Sequence, residues 1–189
     1  VFTTCIIHSD TKIEHKIAVI VNEEMITSFD IIQRMKLSAI LNRININNQN
    51  NQIMINNAVD ELIHEKLKKE KINEYEMSIS ENEYIEFENN FFMNNNLEKN
   101  ALIDILELNN VKYSVLKDFL ENEILWNKLI NNLYFRLTSV SDMEIDEIIS
   151  KNPDITLEQA KNLVIKRQLD LKSSKMLRDM LNEATVEYK

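Results

Sequence analysis

Lys16-Ile-Ala-Val-Ile-Val-Asn-Glu-Glu-Met-Ile-Thr-Ser-Phe-Asp30 is the stretch that decides the fold, read together with Met176-Leu-Arg-Asp-Met-Leu-Asn-Glu-Ala-Thr-Val-Glu-Tyr-Lys189 at the other end of the chain. In the first, Ile17 to Val21 is a β-branched run, which predicts a strand. Asn22-Glu23-Glu24 makes a turn, and Met25-Ile26-Thr27 is a short second strand or a lead-in to a helix. Thr27 with Asp30 three residues on is a capping-box pattern, so a helix follows. In the last stretch a helical pattern breaks into the β-like tail Ala184-Thr-Val-Glu-Tyr-Lys189. Everything between reads as helix. A chain that is β only near its two ends most simply pairs those ends with each other, so the expected fold is mainly α. It is a multi-helix body with a small β pairing between about 17–21 and about 185–188.

Working inward, Ile31, Ile32, Met35, Leu37, Ile40 and Leu41 give the first helix an apolar side. Residues 42–52 are polar and low in complexity and read as a mobile loop. From about 53 to 72 comes the cleanest amphipathic helix, with Ile55, Ala58, Val59, Leu62, Ile63 and Leu67 at helical spacing. Ser80 with Glu83 caps the next, which carries Tyr84, Phe87 and Phe91 on one stripe and Ile85 and Phe92 on another. A helix over about 97–108 stops at Asn109-Asn110. Ser114 starts a long one through Leu116, Phe119, Leu120, Leu125, Trp126, Ile130 and Leu133. Ser141 with Glu144 caps a short acidic helix to about 150. Pro153, the only proline, marks the sharp break. Thr156 with Gln159 then caps the last helix, which has Ile165, Leu169, Met176 and Met180 at spacings of four, seven and four.

Composition limits the chemistry. At 189 residues, 44% hydrophobic and 28% charged, the chain can bury a real core and is ordinary for a globular domain. It has no glycine at all. Motifs that need glycine against a phosphate, the P-loop and the dinucleotide fingerprint, are therefore excluded. Asparagine, the next most tolerant residue of left-handed backbone, stands where helix ends are expected, at 94–96 and 109–110. Abundant Asn, Ile and Lys also reads as compositional bias. A formal net charge of −9 lacks the footprint of a phosphate-backbone binder, so no nucleic-acid partner is expected. No segment approaches the roughly 20 apolar residues of a membrane span. Cys5 is the only cysteine and cannot form an internal disulfide. Val1-Phe-Thr-Thr-Cys-Ile-Ile-His-Ser9 reads either as the tail of a secretory signal or as an unpacked terminus, so 1–15 is set apart from the fold.

Of the histidines, His8 and His15 lie in that poorly patterned start. His64 lies on the charged side of its helix beside Glu61 and Glu65. No His-x-x-x-His or Glu-x-x-His motif occurs, and solvated histidine is the expectation for each. Acidic pairs such as Glu23-Glu24 and Asp142/Glu144 suit turns and helix starts. Nothing supplies a serine nucleophile with a base. Neither catalytic residue, cofactor nor metal is expected. The remaining lead is an apolar surplus. Tyr84, Phe87, Phe91, Phe92 and Met93 exceed one buried stripe. A helix packed on both sides would use them all; if some face outward, they mark a surface for apolar segments of other proteins. Phe91, Phe92 and Met93 are the candidate contact residues.

These residues resemble a known family, the SurA-like periplasmic chaperones. Ile17 to Thr27 with Asp30 and Arg34 is similar to its opening, roughly A-x-V-N-x-E-x-I-T-x-x-D-x-x-x-R. Ala58-Val-Asp-Glu-Leu-Ile-His-Glu-Lys-Leu67 resembles its next helix, and Ser78-Ile-Ser-Glu-Asn-Glu83 the step after it. Asn110-Val-Lys-Tyr-Ser114 with Phe119 and Ile124-Leu-Trp126 resembles a later segment in which glycine is usual at the Asn110 position. Thr138-Ser-Val-Ser-Asp-Met-Glu144 is similar to the close of the family's N-terminal domain, and 172–188 to its C-terminal helix and strand. The family carries one or two parvulin-type prolyl isomerase domains before that helix; here only Ser150-Lys-Asn-Pro-Asp-Ile155 fills the place. The resemblance therefore implies a chaperone core over 16–150 with 151–189 packing back on it. It further implies an ATP-independent periplasmic holdase for unfolded outer-membrane proteins, without isomerase activity. The other readings are an isomerase relative with an unrecognised site, and a structural protein that dimerises through apolar surface or by exchanging its last helix across Pro153.

Overall fold

The computed structural model describes residues 16–47 and 49–189. Cys5, His8, His15 and the proposed signal segment lie outside the described residues. Strand β1 (Ile17–Val21) turns through Asn22, at φ 53°, into β2 (Glu24–Thr27). Seven helices follow: α1 (Ser28–Leu41), α2 (Asn51–Glu74), α3 (Glu81–Asn94), α4 (Lys99–Leu108), α5 (Tyr113–Tyr134), α6 (Asp142–Lys151) and α7 (Leu157–Glu183). Strand β3 (Val186–Tyr188) ends the order. The sheet runs β2-β1-β3, antiparallel throughout, and Val19, Ile20 and Val21 pair with Tyr188, Glu187 and Val186. The fold is mainly α, and its two ends meet in one small sheet.

Local chemistry explains both ends of most helices. Thr27/Asp30, Ser80/Glu83, Ser141/Glu144 and Thr156/Gln159 each form a complete capping box, satisfying otherwise orphaned N–H groups. Four helices stop in the same way. At the ends of α1, α2, α3 and α4 a residue takes left-handed backbone: Arg43 (φ 55°), Glu76 (49°), Asn96 (50°) and Asn110 (54°). The apolar residue after each donates its N–H to the carbonyl five residues back: Ile44 to Ala39, Met77 to Ile72, Leu97 to Phe92 and Val111 to Leu106. This is the Schellman ending, built entirely without glycine. Asparagine fills two of the four positions, as the sequence suggests; Arg43 and Glu76 carry the larger steric cost. One predicted start is displaced: α5 begins at Tyr113 and Ser114 is no cap, because Lys112 is the extended residue before it. The 42–52 stretch also has more order than its composition suggests. The Asn47 N–H donates to Asn50 Oδ1 and the Asn50 N–H to Asn47 Oδ1, Asn50 Nδ2 donates to Asn45 O, and α2 already begins at Asn51.

Packing gathers these elements into three adjoining apolar clusters. Val19, Val21 and Ile26 on one face of the sheet lie against Ile31 and Met35 of α1 and Ala58 and Leu62 of α2. Leu37 of α1, Phe92 of α3, Leu102 and Leu106 of α4 and Leu116 and Leu120 of α5 form the second. Ile72, Trp126, Leu129 and Ile130 form the third, under Leu169 and Met176 of α7. Leu177 and Met180 of α7 touch both the first and the third, so the last helix staples the sheet to the body. The Trp126 indole N–H donates to Ser173 Oγ at 2.8 Å, which fixes the register of α7 on α5. Helix α6 packs on α7, with Ile145 buried on one and Ala160 and Val164 on the other.

Replacing Glu76 by glycine removes a left-handed side chain from a fully formed ending. Glu76→Gly is expected to stabilise the fold by about 0.5–1 kcal/mol, the steric gain less the added freedom of the unfolded chain, seen as a raised urea midpoint.

Candidate functional site

The aromatic-rich helix α3 is held by one buried carboxylate. Glu88, 4% exposed, accepts hydrogen bonds from Tyr84 Oη at 3.1 Å, from Tyr113 Oη, and from Lys99 Nζ at 2.5 Å. Three helices thus meet at a single acceptor. Burial alone would push the Glu88 carboxyl up, but the bonds from Lys99 and Tyr113 outweigh it and hold it below its usual 4.5. Burial first, and Glu88 second, push the Tyr84 and Tyr113 phenols above their usual 10. The Lys99 ammonium lies 5.9 Å from both the Phe92 and the Tyr113 ring centres. A carboxylate with every partner a donor is a clamp between helices. The groups around it are structural.

Of the three candidate contact residues, Phe92 is 6% exposed and part of the second cluster. Its ring meets Phe91 edge-on, centres 5.7 Å apart at 77°, and Phe91 is half-buried. Met93 is 68% exposed. The surplus on α3 is therefore divided between core and surface within three successive residues.

An opening with apolar walls lies between the end of α1 and α4. It is a groove of about 700 Å³ whose apolar walls include Ile40, Ile44, Ile46, Leu97, Ala101 and Ile105. Two of the glycine-free endings shape it. The left-handed turn at Arg43 brings Ile44 back over α1, and that at Asn96 sets Leu97 at the foot of α4. The spacing of the walls is fixed at one end by two α1 side chains that grip the turn after α4. Gln33 Nε2 donates to Asn110 O at 2.8 Å while its Oε1 accepts from Lys112 N, and Lys36 Nζ donates to Asn109 O at 2.9 Å. Ile44, Ile46 and Ile105 are each about half exposed at the opening. It is an open groove of mixed lining, with apolar side chains on its walls and polar groups between them. Sequence reasoning missed it. Ile44 and Ile46 stand in an asparagine-rich stretch whose composition reads as polar loop, and the one available signal is their spacing of two between asparagines.

His64 lines a smaller cleft of about 230 Å³ with Arg34, Glu61, Glu65 and Lys68. Arg34, 4% exposed, pairs with Glu65, lies 4.0 Å from Glu61 and stacks over Phe119 at 5.2 Å. Among the described residues no three His, Cys, Asp or Glu side chains are grouped to hold a metal, and no helix is long and apolar enough to cross a membrane.

Neither a family model nor a curated protein sequence matches the chain. Among solved structures it is similar to one reported for PEB4 and Cj1289, a virulence factor and a periplasmic protein described as structurally related SurA-like chaperones of Campylobacter jejuni. The identity is 16%, the match covers 92% of this chain and 98% of that one, and the TM-score is 0.47. That similarity assigns this chain no activity.

Five carboxylates, Glu24, Glu83, Glu88, Glu147 and Glu187, are held below their usual value and tie the fold to pH. Glu88 is held below 4.5, and the exposed Glu83 is held at about 2 by hydrogen bonds from Lys128 and Ser80. A depressed folded value gives stability that is complete above the unfolded value and is lost as pH falls through the folded one. The urea midpoint is therefore expected to fall as pH drops from 4.5 towards 2. Glu88→Gln should cost about 1–3 kcal/mol at pH 7, because Lys99 and both phenols lose a charged acceptor, and should make the acid-side fall shallower.

Proposed function

We propose that the protein is an ATP-independent holdase that binds unfolded or partly folded chains through apolar surface and has no prolyl isomerase activity. The groove between α1 and α4 is the observation that carries this reading. Large apolar side chains are also exposed singly elsewhere, at Met93, Leu108 and Met143 for instance, but scattered exposure is common to most proteins. A concave site with Ile44, Ile46 and Ile105 each about half open to solvent is different. It offers apolar area without a catalytic group. Holding an unfolded chain needs weak, reversible burial of that kind, and it suppresses aggregation by mass action on the unfolded state.

The ordered motifs from Ile17 to the C-terminal strand support placing the protein with the SurA-like chaperones. On that ground we take the periplasm as its compartment and outer-membrane proteins as its clients. Residues 16–150 with 151–189 packed back on them form the chaperone core. Phe91 and Met93 extend the contact surface from α3, and Phe92 supports them from within. The rival reading, dimerisation by exchange of α7 across Pro153, would first have to unmake the packing of α6 on α7.

The test is dilution of an unfolded outer-membrane β-barrel protein from denaturant beside stoichiometric protein, with light scattering as readout and a folded soluble protein as binding control. Suppression near one to one, without binding of the control, is expected. Ile46→Asp with Ile105→Asp should remove at least half of it, since both put charge in the groove without touching the core. No suppression at any ratio would refute the holdase, and a concentration-dependent dimer in sedimentation would put the structural reading in its place.

A further inference from the structure

The groove is lined by two cations and one anion, against the trend of the chain. Lys36 and Arg43 lie on it; Lys36 has only a carbonyl partner, and the Arg43 guanidinium has none among the described residues. The single carboxylate lining it, Glu98, is spent on its own helix, accepting from Asn100 N at 3.2 Å and Ala101 N at 2.7 Å. On a molecule with net charge −9 this leaves a small local excess of positive charge beside an apolar floor, with Arg43 the cation that lacks a partner among the described residues.

One wall is main chain. Residues 44–47 belong to neither helix nor strand. The Ile44 N–H is taken by Ala39 O at 2.8 Å and the Asn45 carbonyl by Asn50 Nδ2 at 2.9 Å. The N–H groups of Asn45 and Ile46 and the carbonyls of Ile44 and Ile46 have no protein partner among the described residues. Ile44 and Ile46 meanwhile line the groove beside them.

We propose that the groove takes an extended segment with apolar side chains at alternate positions and a carboxylate near one end. The segment runs beside residues 44–46, pairs with the free main-chain groups there, and sets its carboxylate on Arg43. A helix could fill the floor but has already used its own N–H and C=O groups, whereas a strand presents them sideways, and its period of two places every second side chain on the floor. A second copy of this chain is disfavoured by repulsion between two bodies of net charge −9. The proposal rests on the holdase reading only for the source of such segments.

The probe is the peptide acetyl-Asp-Val-Thr-Val-Ser-Val-Cys-amide, labelled on its cysteine with a fluorophore of no net charge and followed by anisotropy at low salt. Arg43→Glu should weaken it about fivefold, the upper end for an exposed ion pair, and the same peptide with Lys for Asp should show the reverse preference. N-methylation of amides along one edge of the peptide should abolish binding, while methylation of the other edge leaves it. Circular dichroism and Trp126 fluorescence confirm that Arg43→Glu is folded. Equal affinity of wild type and Arg43→Glu for both peptides overturns the charge assignment, and equal binding of both methylated forms overturns main-chain pairing. Aggregation suppression that survives Arg43→Glu with Ile46→Asp overturns this site while leaving the holdase standing. Peptide binding with these dependences but no suppression supports the site and removes the holdase. A dimer that Ile46→Asp dissolves makes a second copy the occupant and ends the proposal.

Discussion

Strand β1 is paired on both sides, and the rest of the architecture depends on that. Its partner β2 is local, reached through a single left-handed residue, but its partner β3 lies at the opposite end of the chain. Asn22 locks the long-range side. Its N–H donates to Thr185 O at 2.8 Å, its Oδ1 accepts from Thr185 N at 3.0 Å, and its Nδ2 donates to Glu70 of α2. Closing so long a loop is costly in entropy, though the cost grows slowly with length. It is offset by burying Val19, Val21 and Ile26 beneath α1, α2 and α7. Without β3, the last turns of α7 would have no reason to return to the sheet, and Leu177 and Met180 would lose half of their setting.

The motif that resembles the SurA-like opening gains a physical account from this geometry. Asn22 is the clamp just described. Thr27 and Asp30 start α1 by exchanging hydrogen bonds with each other's backbone. Arg34, one turn further, is buried against α2 through Glu65 and Glu61. Each polar position has a structural task, and none of these residues lines the apolar groove. A removed partner at Arg34 would leave a buried charge, which costs far more than the pair itself contributes.

A chain without glycine must make its left-handed turns with side chains present. Here each of the four Schellman endings closes with a backbone bond from the apolar residue that follows it, and in three of them that residue, Met77, Leu97 or Val111, also packs in an apolar cluster. Two of them also build the groove, so the same local strain that ends α1 and α3 places Ile44 and Leu97 on its walls. Stability and binding surface share one device. The helix with the most aromatic residues plays a different part. Its carboxylate Glu88 draws Tyr84, Tyr113 and Lys99 inward, which takes Phe92 into the core and leaves Met93 outside.

Much of the fold was legible in the sequence because its signals are local. Capping boxes at Thr27, Ser80, Ser141 and Thr156 involve residues three apart, β-branched Ile17 to Val21 favour a strand by themselves, and Asn110 marks its own helix end. Even the pairing of the two ends followed from there being β-like segments at both and helix between. The site was not legible. Whether Phe92 or Met93 faces solvent depends on a carboxylate four residues away and on tyrosine and lysine from two other helices. That Ile44 and Ile46 line a groove depends on α4, more than fifty residues on, and on Gln33 and Lys36 holding it at the right distance. Periodicity reports which residues share a face; which faces find a partner is decided only when helices distant in sequence pack, and a groove is the place where one did not.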